Sequence, residues 1–353
     1  MRLIHTSDLH MGSPLTARLP HEKIRQRKRE LLSTFRRMVE EGARLGVSAV
    51  IIAGDLFDSE NVGVRTVDEA AAVIAGAPEI TFYYLTGNHE KNAFADAGLP
   101  LPENLRIFDT GWTYFDVGSL TIAGRSECAA GMFDTLSLSP ERKNIVVLHG
   151  ELRDRSAPEC VIGEKEIPED KVDLLCLGHY HTYAEKKINR RTTAIYCGTP
   201  EGRGFDETGD KGFVLLDVRE KKIETSFIPF AKRRLHEVSA DISVASRALD
   251  VHEAVREAIR DIPEKDLVRV VLTGERMPEL RYDTETIVER FGHEYYHFEV
   301  RDASRLALHP DDYRFDKSLK GEFIRLVSEE ASLSEDERDA VIRCGLRALA
   351  GED

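Results

Sequence analysis

Five short polar segments carry side chains that could do chemistry together: Asp8-Leu9-His10, Gly54-Asp55-Leu56-Phe57-Asp58, Gly87-Asn88-His89-Glu90, His149-Gly150 and Gly178-His179-Tyr180-His181. They offer carboxylate, imidazole and amide donors and no thiolate. Such nitrogen and oxygen sets suit manganese, iron or zinc. Two divalent ions bring four positive charges, and Asp8 and Asp55 supply two negative ones. The excess positive charge would be left for a bridging hydroxide and a phosphate ester. A two-metal site lowers the pKa of bound water and clamps the attacking and leaving oxygens. The opposing reading, a coincidence of unrelated core and loop residues, is tested by whether the segments meet in space.

They can meet only if the chain positions them. Each segment follows a short apolar run, and strands linked by crossovers bring their carboxyl ends to one edge of a sheet, where ligand sites form. Residues 2–6 read as a strand. Helical spacing of Ile24, Leu31, Leu32, Phe35, Met38, Val39 and Leu45 predicts a helix over about 20–45. Strand 48–53, a helix near 65–75 and strand 80–86 complete a β-α-β-α-β start. Short strands then dominate, near 105–108, 113–117, 120–123, 145–148, 174–177, 194–197, 213–218 and 223–228. That is too many for one small sheet, so two packed mixed sheets are expected. The adjacent glycines are expected to permit the tight turns that aim polar side chains inward.

Beyond the basic stretch Lys232-Arg233-Arg234, strands near 235–238, 267–272 and 295–300 alternate with helical segments, enough for a small second domain. His293 and His297 have a helical metal-pair spacing, but Tyr295, Tyr296 and Phe298 around them favour a strand and a non-metal role. The tail from about Asp316 reads as two helices, the second opened by a capping box at Ser334-Glu335-Asp336-Glu337. Each carries an apolar stripe: Phe315, Leu319, Phe323, Ile324 and Val327, then Val341, Ile342, Leu346 and Leu349.

The ordered pattern D-x-H, G-D-x-x-D, G-N-H-E, H-G and G-H-x-H resembles the calcineurin-like metallophosphoesterases. The resemblance implies that a first ion takes Asp8, His10, Asp55 and His181. A second would take Asp55, Asn88, His149 and His179, with Asp55 bridging. It implies that His89 is a catalytic histidine that contacts the phosphate and helps the leaving group depart. Glu90 and Asp58 join the catalytic set, Glu90 to orient His89 and Asp58 as the partner of a ligand. The implied fold is α/β and four-layered, two packed mixed sheets flanked by helices, with a small α/β capping domain and a C-terminal helical tail.

The superfamily handles many phosphoesters, so the fold does not settle the substrate. Ile4-His5-Thr6-Ser7-Asp8-Leu9-His10-Met11-Gly12-Ser13, Ala53 to Asp58, and Gly198-Thr199-Pro200-Glu201-Gly202-Arg203 with Glu207 and Asp210-Lys211-Gly212-Phe213 resemble the SbcD-type DNA repair exonucleases. That closer resemblance implies a nuclease domain over 1–230, a capping domain over 231–303 that helps position DNA, and a tail over 304–353 that meets an SbcC-like or other SMC/ABC-type ATPase. It implies DNA hydrolysis assisted by manganese, with iron or zinc as alternatives, and admits a homodimer. Some relatives have a DNA-facing histidine where this chain has Asp58. Arg203 is a candidate phosphate clamp, or else an ion-pair partner of Glu201 or Glu207. Two other classes stay open: a phosphatase or cyclic phosphodiesterase acting on a small nucleotide, and a non-catalytic assembly subunit.

Composition sets outer bounds. The chain has 353 residues, 41% hydrophobic and 32% charged, a soluble globular balance with no apolar run long enough to span a membrane. A cleaved leader is not expected, since it would remove Asp8. Cys128, Cys160, Cys176, Cys197 and Cys344 show no paired spacing, and Cys176 and Cys197 sit in apolar runs, which favours thiols in a reducing cytoplasm. The net charge of −14 weighs against generic, whole-surface attraction to nucleic acid but not against a local basic groove, for which Lys23 to Arg37, Lys186 to Arg191 and Lys232 to Arg234 are candidates.

Overall fold

In a computed structural model, the protein is described over residues 1–15, 19–59, 62–90, 93–155, 161–220, 222–277, 280–307, 313 and 315–350; Cys160 lies outside them. The chain forms two compact units, Met1–His236 and Glu237–Asp353. No helix among the described residues is long and apolar enough to cross a membrane.

The first unit begins with β1 (Arg2–Thr6), α1 (His21–Leu45), β2 (Ala49–Ala53), α2 (Val64–Ala75), β3 (Thr81–Leu85) and β4 (Leu105–Ile107). β1 to β4 lie parallel in that order, and the antiparallel hairpin Gly212–Val218/Ile223–Pro229 adds beside β1 to complete a six-stranded sheet. β2 is buried on both faces, which is why it reads as an unbroken apolar run rather than an alternation. α1 lays Phe35, Met38 and Val39 on one side of this sheet and ends at Gly46, whose left-handed backbone lets its N–H reach the last free carbonyls.

A second six-stranded sheet has Lys143–His149 and Leu174–Gly178 side by side and parallel at its centre. Its inner face sends Ile122, Ile145, Val147, Cys176 and Ile195 against Leu3, Ile51 and Tyr83 of the first sheet, making the core between the sheets. Its outer face is covered by Met132, Phe133, Leu136 and Ile167, which come from loops and short 3-10 turns. The edge strand Ala184–Lys187 is exposed throughout and was not expected, because Ala184-Glu185-Lys186-Lys187 has no apolar alternation. Lysines on such an edge discourage a further strand from pairing with it.

Leu235–Asp241, which leads into the second unit, forms a three-stranded sheet with Leu267–Thr273 and His297–Asp302. Helices Ala248–Ile259 and Thr284–Phe291 bury Val251, Val255, Ile259, Ile287 and Phe291 against it. His297 stands in the last strand, 3.2 Å from Glu299. The tail helices are Leu319–Glu329 and Glu335–Ala350. Ser334 and Glu337 bond reciprocally at the start of the second, satisfying donors that a helix leaves free. Ile324, Ile342 and Leu346 bury against one another, with Phe323 and Val327 packed beside them, whereas Leu319, Leu326, Val341 and Leu349 remain exposed.

Candidate metal centre

The loops after β1 and β2 run alongside each other. Asp8, His10 and Met11 donate their backbone N–H groups to the carbonyls of Gly54, Asp55 and Leu56 at 2.9–3.0 Å. Asp8, His10, Asp55 and His179 all have positive φ, at 52°, 46°, 51° and 101°. That conformation costs a residue with a side chain about 1–2 kcal/mol. Together with Leu15 these are the residues other than glycine that adopt it among those described, and such strain collects at functional sites. The glycines serve both turning and space: Gly54 turns at a φ of 93°, and neither it nor Gly87 has room for a side chain. A Cβ on Gly87 would lie 2.0 Å from Asp55 Oδ1, and one on Gly54 would lie 2.1 Å from His149 Nδ1. The chain narrows at these points to let the acidic and imidazole side chains through.

The five segments converge. Asp8, His10 and His181 form one cluster of donor atoms, and Asp8, Asp55 and His149 form another that shares Asp8. Asp55 Oδ2 lies 3.7 Å from His10 Nε2 and 3.4 Å from His149 Nε2, so it reaches both. Asn88 Oδ1 stands 2.8 Å from His149 Nε2. The His179 ring packs edge-on against His149 at 5.5 Å, and its backbone N–H donates to Asp8.

Three imidazoles are tied by their outer nitrogen. His149 Nδ1 lies 2.9 Å from the Ala53 carbonyl, His10 Nδ1 2.9 Å from Asp58, and His181 Nδ1 2.7 Å from Glu207. Acceptors at Nδ1 hold a proton there, so Nε2 is the nitrogen that can offer its lone pair to a cation, the arrangement seen in metal-binding histidines. His10 Nε2 and His181 Nε2 then face each other at 3.2 Å. Two lone pairs at that distance need either a shared proton or a cation between them, and the carboxylates of Asp8 and Asp55 beside them favour a cation. The donor set therefore fits divalent cations by its chemistry.

A profile of the calcineurin-like phosphoesterases matches residues 1–183. The chain belongs to that family. Among its relatives is the uncharacterized metallophosphoesterase YhaO of Bacillus subtilis, 26% identical over 78% of this chain and 72% of that one. The DNA double-strand break repair protein Mre11 of Methanosarcina acetivorans is 26% identical over 75% of this chain and 44% of its own length. Mre11 of Halobacterium salinarum is 24% identical over 82% of this chain and 74% of its own.

Other residues of this phosphoesterase stand differently from expectation. Glu90 does not orient His89. It is fully buried, and its two oxygens accept from the Leu56 and Phe57 backbone N–H groups at 2.8 and 2.6 Å, so it braces the loop after Asp55. Burial pushes its carboxyl up to about 8. Of the two readings of Arg203, the structure bears out the ion pair with Glu207 and not the open phosphate clamp. Arg203 Nη1 donates to Asp58 at 2.9 Å, and Nε and Nη2 donate to Glu207 at 3.1 and 2.7 Å. Asp58 and Glu207 are the partners of His10 and His181, so Arg203 ties together the supports of two imidazoles. What sequence reasoning missed is that Glu207 also holds His181. The i, i+4 spacing of Glu207 from Arg203 hinted at the ion pair, but nothing in the sequence links it to His181, 26 residues earlier. The basic junction is also neutralised. Lys232 and Arg233 pair with buried Glu30, and Arg234 with Asp210.

A pH dependence follows from His149. Burial opposes charge on its ring, but hydrogen bonding and attraction from Asp55 prevail, and its pKa is pushed up to about 9. In the metal-free protein the imidazolium is thus favoured below that value and its stabilisation is lost as pH rises through it. A cation must displace this proton. Manganese affinity should therefore rise about tenfold per pH unit between pH 7 and 8.5, with close to one proton released from this site. Calorimetry in buffers of different ionisation enthalpy measures the release; none at pH 7 would contradict the charged state of His149.

Proposed function

We propose that this chain is a two-metal phosphodiesterase that hydrolyses DNA phosphodiester bonds, as an exonuclease or endonuclease. The observation that carries the metal reading is the pair of Nε2 atoms facing at 3.2 Å beside Asp8 and Asp55. Asp8, His10, Asp55 and His181 would hold one ion, and Asp55, Asn88, His149 and His179 the other, with manganese the proposed metal. Two such ions supply Lewis acidity and water activation. Around them Asp58, Glu207 and the Ala53 carbonyl keep the rings aimed, and His89, half-exposed at the mouth, meets the phosphate. Support for DNA comes from the relatives named as DNA double-strand break repair proteins.

Manganese-loaded protein should cut linear DNA and a chromogenic diester, and thorough chelation should abolish both activities. Cyclic nucleotides should be poor substrates. Cleavage of a cyclic nucleotide far exceeding that of DNA would instead make this a small-nucleotide phosphodiesterase.

We also propose that the tail helices bind an SMC/ABC-type ATPase. Their mutual packing through Ile324, Ile342 and Leu346 leaves Leu319, Leu326, Val341 and Leu349 exposed. An apolar helix face laid into a groove is a common mode of recognition. Protein lacking residues 316–353 should keep its metals and its diester activity but no longer capture such an ATPase in a pull-down. An unfolded truncation product would place the tail in the structural core instead.

A further inference from the structure

The carboxyl edge that carries the metal centre also carries the first turns of both crossover helices, because each helix begins where the preceding strand has ended. Beside that edge lies a cleft of about 670 Å³, lined by Met11 and Gly12 from the loop after His10, by Ser59 after Asp58, and by the facing sides of α1 and α2. Its walls are cationic. Arg25, Lys28 and Arg29 line it from α1 at i, i+3 and i+4, the spacing that puts three side chains on one face. All three are exposed, and none has an acidic partner among the described residues. Their neighbour Arg27 turns the other way and is buried against Glu30 and Glu201, so the helix separates structural from unneutralised cations. From the opposite wall comes Arg65, whose pair with Glu69 is exposed and therefore weak. α2 starts there too. Gly63 precedes it and no side chain caps it, so its first N–H groups and the positive end of its dipole add to the same field.

We infer that this cleft between α1 and α2 is a phosphate-binding track for a single nucleic-acid strand running to or from the metal centre. The inference rests on the phosphodiesterase reading above and adds where the substrate chain lies. In a chain of net charge −14, three unpaired cations on one helix face have no structural acid to offset, and a row of phosphates supplies the complementary charge. Among the described residues, those lining the cleft offer no ring on which a base could stack, so backbone contact without sequence preference is the mode they fit.

The test uses the full chain and a fluorescent single-stranded oligonucleotide, with binding followed by anisotropy in chelator so that nothing is cut. Each phosphate contact on a single strand contributes about −0.7 to the slope of log affinity against log salt. The variant Arg25→Ala/Lys28→Ala/Arg29→Ala should bind at least about tenfold more weakly and flatten that slope by about 2. Its metal content and its rate on a chromogenic diester should not change. A charge-matched control, Lys186→Ala/Lys187→Ala/Arg190→Ala, removes three cations from the exposed edge of the second sheet and should bind as the wild type does. Unchanged affinity and slope in the α1 variant would overturn the inference. Equal loss in the control would overturn it as well, since the attraction would then be general. The underlying reading fails separately: manganese-loaded wild type that binds the oligonucleotide through α1 but never cuts it would refute the nuclease and leave the track standing.

Discussion

Asp55→Ala should yield a folded protein that holds neither ion firmly and has lost on the order of 10³–10⁵-fold in diester hydrolysis, the equivalent of several kcal/mol of transition-state charge stabilisation. Three features single out this carboxylate. Its Oδ2 reaches His10 and His149 at 3.7 and 3.4 Å, while its Oδ1 accepts the His89 backbone N–H at 3.1 Å. Burial would raise its pKa, but His149 and His10 hold it well below the usual carboxylate range, so it stays charged. Its removal leaves His149 buried without the partner that favours its protonated form. Asp55→Asn keeps the shape and loses the charge, and should fail nearly as badly. Metal analysis after gel filtration decides the matter. Two retained ions with a rate within tenfold of wild type would remove Asp55 from the bridging role.

The positions of these residues were legible because chemistry sits at strand ends. β2 and β3 are dominated by apolar and aromatic residues and β1 carries Leu3-Ile4, and each strand is followed within a few residues by Asp8, Asp55 or Asn88. What surrounds the donors was not legible. Glu90 follows His89 in sequence, which suggests a partnership, but the turn after β3 sends its side chain inward to two backbone donors. For Arg203 the ion pair with Glu207 was one of two readings the sequence left open, but its second partner, Asp58, lies 145 residues away and was out of sight. The junction at Lys232 to Arg234 failed for the same reason. Glu30, its main acid, lies on α1, and helical periodicity alone does not reveal that a glutamate is buried. Apolar pattern is local and survives in the sequence, whereas ion pairing across the fold depends on tertiary contacts that no window contains. The edge strand Ala184–Lys187 shows a third limit, since a strand held only by backbone bonds to one neighbour leaves no apolar signature.

His89→Ala should keep both ions and lose about 10²–10⁴ in the rate of DNA cleavage, the usual worth of one general acid. His89 differs from its neighbours in how it is held. The outer nitrogens of His10, His149 and His181 are tied to Asp58, Ala53 and Glu207, which fixes Nε2 as a donor for a cation. His89 has no such tie among the described residues. Its side chain is 49% exposed, its Nε2 is 4.0 Å from Asp55, and its ring lies edge-on to His10 at 5.2 Å. An imidazole at the mouth with both nitrogens uncommitted suits proton delivery to a leaving oxygen better than coordination. The leaving group gives the discriminating measurement. A sugar oxygen needs a proton as the bond breaks, whereas nitrophenolate departs without one. The variant should thus lose much less on a nitrophenyl diester than on DNA. Equal loss on the two substrates would leave His89 with a binding role only, and loss of an ion from the variant would make it a ligand.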